Sequence, residues 1–245
     1  MNVPGPFEVV GEHLEIELIG ARVLFTTRRG GLSSGPYASL NLGRLTGDDE
    51  EAVERNRELV EQRVGARLLY GRQVHGDHVA LADSPTDRRS PLLEADGHAT
   101  ERAGVAPMVL TADCLPVALG GEGAVAMVHA GWRGLAAGVI EEGVRALRQL
   151  GKNGGIEAAI GPGAGPCCYQ VGEEVHGAFA SYGSVARRGE NLDMKAIATL
   201  ALERAGVEHV HDVGLCTICS DPGLFYSHRR DRGVTGRQAG IAWLN

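Results

Sequence analysis

Apolar residues recur along the chain in two rhythms. Short unbroken runs at Val105–Leu110, Ala124–Val128 and Ile156–Ile160 predict strands buried on both faces. Val23–Thr27 reads as an early strand, and Val207–Val213 and Ile241–Leu244 as closing ones. Elsewhere the period is helical. Between Asp48 and Val64 the residues Val53, Val60 and Val64 form a stripe with Leu59 beside it, and Asp48, Asp49, Glu50 and Glu51 suit the positive helix start. Leu135 to Leu150 predicts a second helix, with Leu135, Val139, Leu147 and Leu150 near one face. Val171–Phe179 and Asp193–Ala205 predict two more. Strands and helices alternate through the middle while the ends are strand-rich, which predicts an α+β fold of mixed β-sheets flanked by helices.

No repeat of fixed period and no Pro- or Ser-rich linker divides the chain. The best boundary candidate, Ser84–Pro91, is short and lies between segments that both carry candidate site residues, so residues 1–245 read as a single domain. Composition adjusts this picture in a few places. Glycine makes up 36 of the 245 residues without a G-x-y period, which implies many tight loops and excludes collagen. A net charge of −7 gives no general electrostatic reason to bind nucleic acid or an anionic membrane. No apolar stretch reaches the ~20 residues of a membrane span. The acidic start (Glu8, Glu12, Glu15, Glu17) is unlike a secretory leader, so a cytoplasmic location is expected. Five cysteines in a chain of this length do not make a disulfide framework; core filler, nucleophile and metal ligand are the roles to weigh.

Three segments place a ligand-type residue at the end of an apolar run: Arg72-Gln73-Val74-His75-Gly76, Leu110-Thr111-Ala112-Asp113-Cys114 and Val128-His129-Ala130-Gly131-Trp132-Arg133-Gly134. Side chains that leave a sheet at its strand ends can converge. Two imidazoles and a thiolate from His75, Cys114 and His129 would make a three-ligand set for zinc with a fourth position for water, the pattern of catalytic zinc. Copper suits the same N/S donors. The residues equally allow a metal-free pair, with Cys114 as nucleophile and His129 as its base, or plain structural roles for each.

Other motifs are weaker. Cys216-Thr217-Ile218-Cys219 is a single C-x-x-C, and vicinal Cys167-Cys168 is a poor second pair because adjacent thiols are expected to diverge. Gly161-Pro162-Gly163-Ala164-Gly165-Pro166 lacks the Lys-Ser/Thr ending of a phosphate loop and reads as a packed turn. Arg28 in the Arg28-Arg29-Gly30-Gly31 turn, and Arg133 ahead of a helix, are the better anion candidates. His228-Arg229-Arg230-Asp231-Arg232 reads as a solvated, internally ion-paired loop.

Taken together, several stretches resemble the YfiH-like proteins, also called multicopper polyphenol oxidoreductase (laccase) domain proteins. They are Thr26–Gly31, Gly35–Gly43, Arg72–Gly76, Glu94–Gly97, Leu110–Pro116, His129–Gly134, Gly165–Tyr169 and the tail from Cys216 to Leu244. They cover nearly the whole chain from about residue 20. Gly163-Ala164 and Gln170 depart from the bulkier or acidic residues often seen there. The resemblance implies one α+β domain with zinc or copper on His75, Cys114 and His129. It implies purine nucleoside chemistry: phosphorolysis of adenosine, inosine and methylthioadenosine, and deamination of adenosine. On that reading Asp113 or Asp96 shuttles a proton, Arg28 or Arg133 holds phosphate, and Asn41 and Gln73 hydrogen-bond ribose or base. Nucleoside and phosphate are then the partners, whether the protein is a monomer or a homodimer. The polyphenol oxidase (laccase) label fits the residues less well, because only His75 and His129 of nine histidines fall in strong motifs. Relatives tied to peptidoglycan precursor editing, and toxin deamidases with a similar Cys-then-His order, keep a Cys–His hydrolase as a further alternative.

Overall fold

The computed structural model describes residues 1–87, 90–150 and 154–245. Arg88 and Arg89, inside the Ser84–Pro91 boundary candidate, lie outside the described residues. In chain order the elements begin with β1 (Glu8–Val10), β2 (His13–Leu18), β3 (Ala21–Phe25), α1 (Glu50–Val64), β4 (Arg67–Leu69), β5 (Val79–Leu81) and β6 (Gly97–Thr100). Three strands follow in succession, β7 (Val105–Thr111), β8 (Leu115–Gly121) and β9 (Ala124–Ala130), then α2 (Trp132–Ala137), α3 (Val139–Gln149) and β10 (Ile156–Ile160). The last third holds α4 (Glu173–Ala178), β11 (Arg187–Arg188), β12 (Asn191–Leu192), α5 (Met194–Arg204), β13 (His209–Asp212) and β14 (Gln238–Leu244).

Two six-stranded mixed sheets dominate. The first has the order β1-β2-β3-β14-β7-β4 and the second β13-β10-β8-β9-β6-β5. Their facing sides share Phe25, Val109, Met127, Ala159 and Ala242. Glycine permits the close approach: a Cβ on Gly240 of β14 would stand 2.6 Å from Pro116 and 2.9 Å from Met127 across the gap. The outer face of the first sheet packs on α1 through Leu24, Val60, Met108, Ile241 and Trp243. The outer face of the second packs on α3 and α5 through Leu119, Val128, Val144, Leu147, Ile197 and Leu202. The molecule is thus a single α+β domain of four layers, helix, sheet, sheet, helices, as the sequence pattern predicts.

The period of two decides which side chains meet. In β9, Ala124, Ala126, Val128 and Ala130 pack in the helix-side core, whereas Val125 and Met127 lie between the sheets. His129 therefore leaves β9 on the inter-sheet side.

Two helix expectations need correction. Leu135–Leu150 is two helices, because Gly138 adopts φ 96° between α2 and α3, a left-handed step that ends one helix and starts the next. The Val171–Phe179 helix shortens to α4, which begins only after Gly172. The helix expected from Asp48 starts two residues on, at Glu50, with the Asp49 carboxylate as its cap accepting from the amides of Glu51 and Ala52.

Candidate metal centre

One edge of the second sheet assembles the site. The β8–β9 hairpin pairs Leu115 with Ala130 and Pro116 with His129, so Cys114, just before β8, lies beside the end of β9. Antiparallel pairing of β6 with β9 sets Gly97 opposite Val128 and delivers Asp96, just before β6, to His129; the His129 amide donates to the Asp96 carbonyl at 2.6 Å. His75 arrives on the loop after β4, where Arg72 bridges Glu94. The ligand atoms of His75, Cys114 and His129 all lie within 4.8 Å of one another. Cys114 Sγ is 3.9 Å from His75 Nε2, and the two imidazoles meet edge to face with centroids 4.8 Å apart.

Asp96 anchors this group. It is fully buried, and its Oδ1 lies 2.7 Å from His129 Nδ1. The same carboxylate accepts from the amides of Val74, His75 and Gly76 at 2.8–3.0 Å. It thereby holds His75 in a left-handed conformation, φ 61°, that a non-glycine residue adopts only under constraint. With Nδ1 committed to Asp96, His129 turns Nε2 toward the thiol, the carboxylate–histidine arrangement that fixes the ring of a metal ligand. Burial alone would raise the Asp96 pKa, but the His129 hydrogen bond and the three amides outweigh it and hold it below the ordinary carboxylate value.

Charge pairing dominates the buried core of the site. Burial pushes the Cys114 thiol up, yet the neighbouring His129 and His75 rings bring it down to about 6. Burial likewise disfavours imidazolium at His129, but Cys114 and Asp96 raise it to about 9. The two shifts have one cause, the attraction between a thiolate and an imidazolium side by side; a bound metal would take the place of the proton between them. The donor set fits such a group. Gly131 leaves it room, since a Cβ there would stand 3.0 Å from Cys114 Sγ and 3.1 Å from the His75 ring.

The other expected site residues separate into three groups. Asp113 lies beside Cys114 at φ 104°, but its Oδ1 accepts from Thr217 Oγ1 and its Oδ2 from the Arg229 amide, both at 2.7 Å. Asp113 and Asp96, expected as proton shuttles, each accept hydrogen bonds that hold the site in shape: two donors reach Asp113 and four reach Asp96. Arg28, Asn41 and Gln73, expected at phosphate, ribose or base, each make hydrogen bonds within the protein. Arg28 donates to the Ala38 and Pro222 carbonyls and stacks on Tyr226. Asn41 is fully buried and spans Thr46, Asp48 and Arg237. Gln73 exchanges two hydrogen bonds with the Leu110 backbone. Arg133 alone of the expected substrate-binding residues is exposed; it lies over the Trp132 ring and has no carboxylate partner among the described residues.

The sequence reading passed over three residues here. Tyr169 lies within electrostatic reach of Cys114, Asp113, Arg133 and Arg229. Arg229, from the loop expected to be merely solvated, stacks on Tyr169. Arg237 feels the charges of Cys114 and Asp113. Their signal was membership of the resembling stretches Gly165–Tyr169 and Cys216–Leu244, which does not single them out. A second surprise is that Cys167, Cys168, Cys216 and Cys219 do converge, with all four sulfurs within 4.8 Å of one another.

Residues 22–245 match the family model described as multi-copper polyphenol oxidoreductase laccase. A protein of Streptomyces coelicolor named purine nucleoside phosphorylase is 41% identical, over 92% of this chain and 96% of that one. The purine nucleoside phosphorylase YfiH of Escherichia coli is 36% identical, over 92% and 94%. Among solved structures, YlmD from Geobacillus stearothermophilus superposes with a TM-score of 0.90 at 32% identity, covering 99% of this chain and 100% of that one.

Proposed function

Since this chain belongs to the multi-copper polyphenol oxidoreductase laccase family, we propose that it is a metal-dependent purine nucleoside phosphorylase acting on adenosine, inosine and methylthioadenosine, with adenosine deamination as a second reaction of the same site. The observation that carries this is the convergence of His75, Cys114 and His129 over a buried Asp96, together with relatives named for that activity. His75, Cys114 and His129 would hold one zinc or copper ion, which supplies Lewis-acid chemistry at neutral pH. Asp96 keeps the His129 ring in the binding tautomer. Arg133 and Arg229, both exposed and both within electrostatic reach of Tyr169, draw phosphate to the mouth of the site. Phosphate then adds at C1′ of the ribose as the purine leaves, giving ribose-1-phosphate and free base. Tyr169, half-buried, stacked by Arg229 and within electrostatic reach of Cys114 and Arg133, offers a ring for the purine to pack on.

A single centre of this kind supports nucleoside chemistry better than four-electron oxygen reduction. Among the described residues one ligand group contains imidazoles, and it offers three ligands. A second reading has its own support: the thiolate–imidazolium pair of Cys114 and His129 suits a metal-free covalent hydrolase or deamidase. Product analysis after chelation separates the two. With adenosine and phosphate, the proposal expects adenine and ribose-1-phosphate, lost on chelation and restored by zinc or copper. Adenosine without phosphate should give inosine. Turnover that survives complete metal removal would favour the covalent reading.

A further inference from the structure

The four converging thiols lie away from the imidazoles. β10 and β13 are parallel neighbours, so the loops that follow them leave the same sheet edge side by side. The ladder continues past the strand ends as a bridge between Gly163 and Cys216, with the Thr217 amide donating to the Gly163 carbonyl at 3.0 Å. The turn at 165–169 then brings Cys167 and Cys168 over the Cys216–Cys219 turn. Cys167 Sγ is 3.5 Å from both Cys219 Sγ and Cys168 Sγ. Adjacent thiols thus reach one point after all, because the turn is tight.

We propose that Cys167, Cys168, Cys216 and Cys219 bind a second cation, a zinc ion in a closed four-sulfur site that staples the loop after β10 to the loop after β13. Zinc–sulfur bonds of about 2.3 Å put the sulfurs of a tetrahedral site about 3.8 Å apart. The observed separations, from 3.5 Å to within 4.8 Å, bracket that edge. The donors are all soft and number four, which selects zinc over calcium or magnesium and leaves no open position.

The backbone supports the charge such a site needs. The backbone amides of Cys219, Gly165 and Ile218 point at the Cys216 sulfur. The Gly165 amide stands 3.3 Å from it. Zinc binds cysteine as thiolate, so binding releases thiol protons to solvent. Gly165 is required sterically, because a Cβ there would stand 3.2 Å from Cys216 Cβ and 3.3 Å from Cys167 Sγ. A cleft of about 720 Å³ lined by Cys167, Cys216, Lys195 and Asp212 admits solvent to one side.

The staple bears on the first centre. Thr217, between the two cysteines, donates to the Asp113 carboxylate, and the Ala164 amide donates to the Asp113 carbonyl at 2.7 Å. Both stapled loops therefore grip the strained residue next to Cys114.

The test uses the full chain carrying His75→Ala and Cys114→Ala, which removes the first centre and makes the outcome independent of it. Purified without a metal-affinity tag, this variant should retain one zinc per chain, and X-ray absorption should show four sulfur neighbours. Adding Cys219→Ser should abolish retention and lower Tm. As a second measurement, peptide mapping of the wild type should show Cys167, Cys168 and Cys219 protected from N-ethylmaleimide by zinc and freed by chelator. A variant that binds no zinc, a shell with fewer than four sulfurs, or thiols that alkylate equally with and without zinc would each overturn the proposal.

Discussion

The reactive thiol is governed by a residue that never touches the solvent. Asp96 binds three consecutive amides and one imidazole, so a single carboxylate sets both the strained loop of His75 and the ring of His129. Asp96→Asn removes the charge and offers an NH₂ where an acceptor is needed. Metal affinity should fall about 10- to 100-fold, as for other partners of metal-binding histidines, in a competitive chelator titration. Unchanged affinity would show that the ring is held by packing alone. Gly131 makes the opposite kind of contribution, by absence. Its φ of −81° suits any residue, so Gly131→Ala adds crowding of Cys114 and His75 without backbone strain. That variant should stay folded yet bind metal more weakly; full affinity would mean that the ligands move aside freely.

At the scale of elements, strand ends place the chemistry and glycines set the breaks. Gly138 separates α2 from α3 at φ 96°. Gly138→Ala should cost about 1–2 kcal/mol in denaturant unfolding, from the left-handed backbone it imposes on a Cβ-bearing residue. A neutral effect would mean that the two helices merge without penalty. This break also shows what the sequence conceals. The apolar stripe from Leu135 to Leu150 is real, since Leu135, Val139 and Leu147 all enter the helix-side core, but one glycine within it carries no signal of its own conformation. Apolar runs exposed β7, β9 and β10 because both faces of each are buried. They also blurred β8, whose apolar start at Leu115 follows β7 after only three residues, and they missed β1, β4 and β5, which are three residues long. The three metal-centre side chains were visible as polar residues closing apolar runs. Asn41 and Gln73 show what residue type alone conceals: their amides hydrogen-bond neighbouring groups of the protein, Thr46 and the Leu110 backbone. The thiol cluster stayed hidden because it depends on two loops brought together by the parallel pairing of β10 and β13.

For the whole molecule, two buried histidines away from the metal centre link stability to pH. Burial lowers His13 to about 4, helped by Arg63, and lowers His98 to about 4, helped by His78. His13 Nδ1 accepts from the Thr27 amide, a bond that only an unprotonated Nδ1 can accept. In the unfolded chain both protonate near 6.5, so the unfolded state binds more protons between about 6.5 and 4. Stability is therefore full above that window and falls as the pH drops through it, by about 3 kcal/mol for each histidine. Urea unfolding at pH 7 and pH 5 should show the loss, and His13→Gln should make the slope shallower; an unchanged slope would contradict the assignment. No helix among the described residues is long and apolar enough to cross a membrane.

The four layers bring three side chains together at the strand ends of the second sheet, where we propose that they hold a common cation. Phosphate-dependent release of free purine from adenosine, compared between the wild type and Cys114→Ser with zinc supplied to both, tests that most directly. The account predicts purine and ribose-1-phosphate from the wild type and a loss of both, with loss of metal at this centre, in the variant. Equal turnover by Cys114→Ser would contradict it.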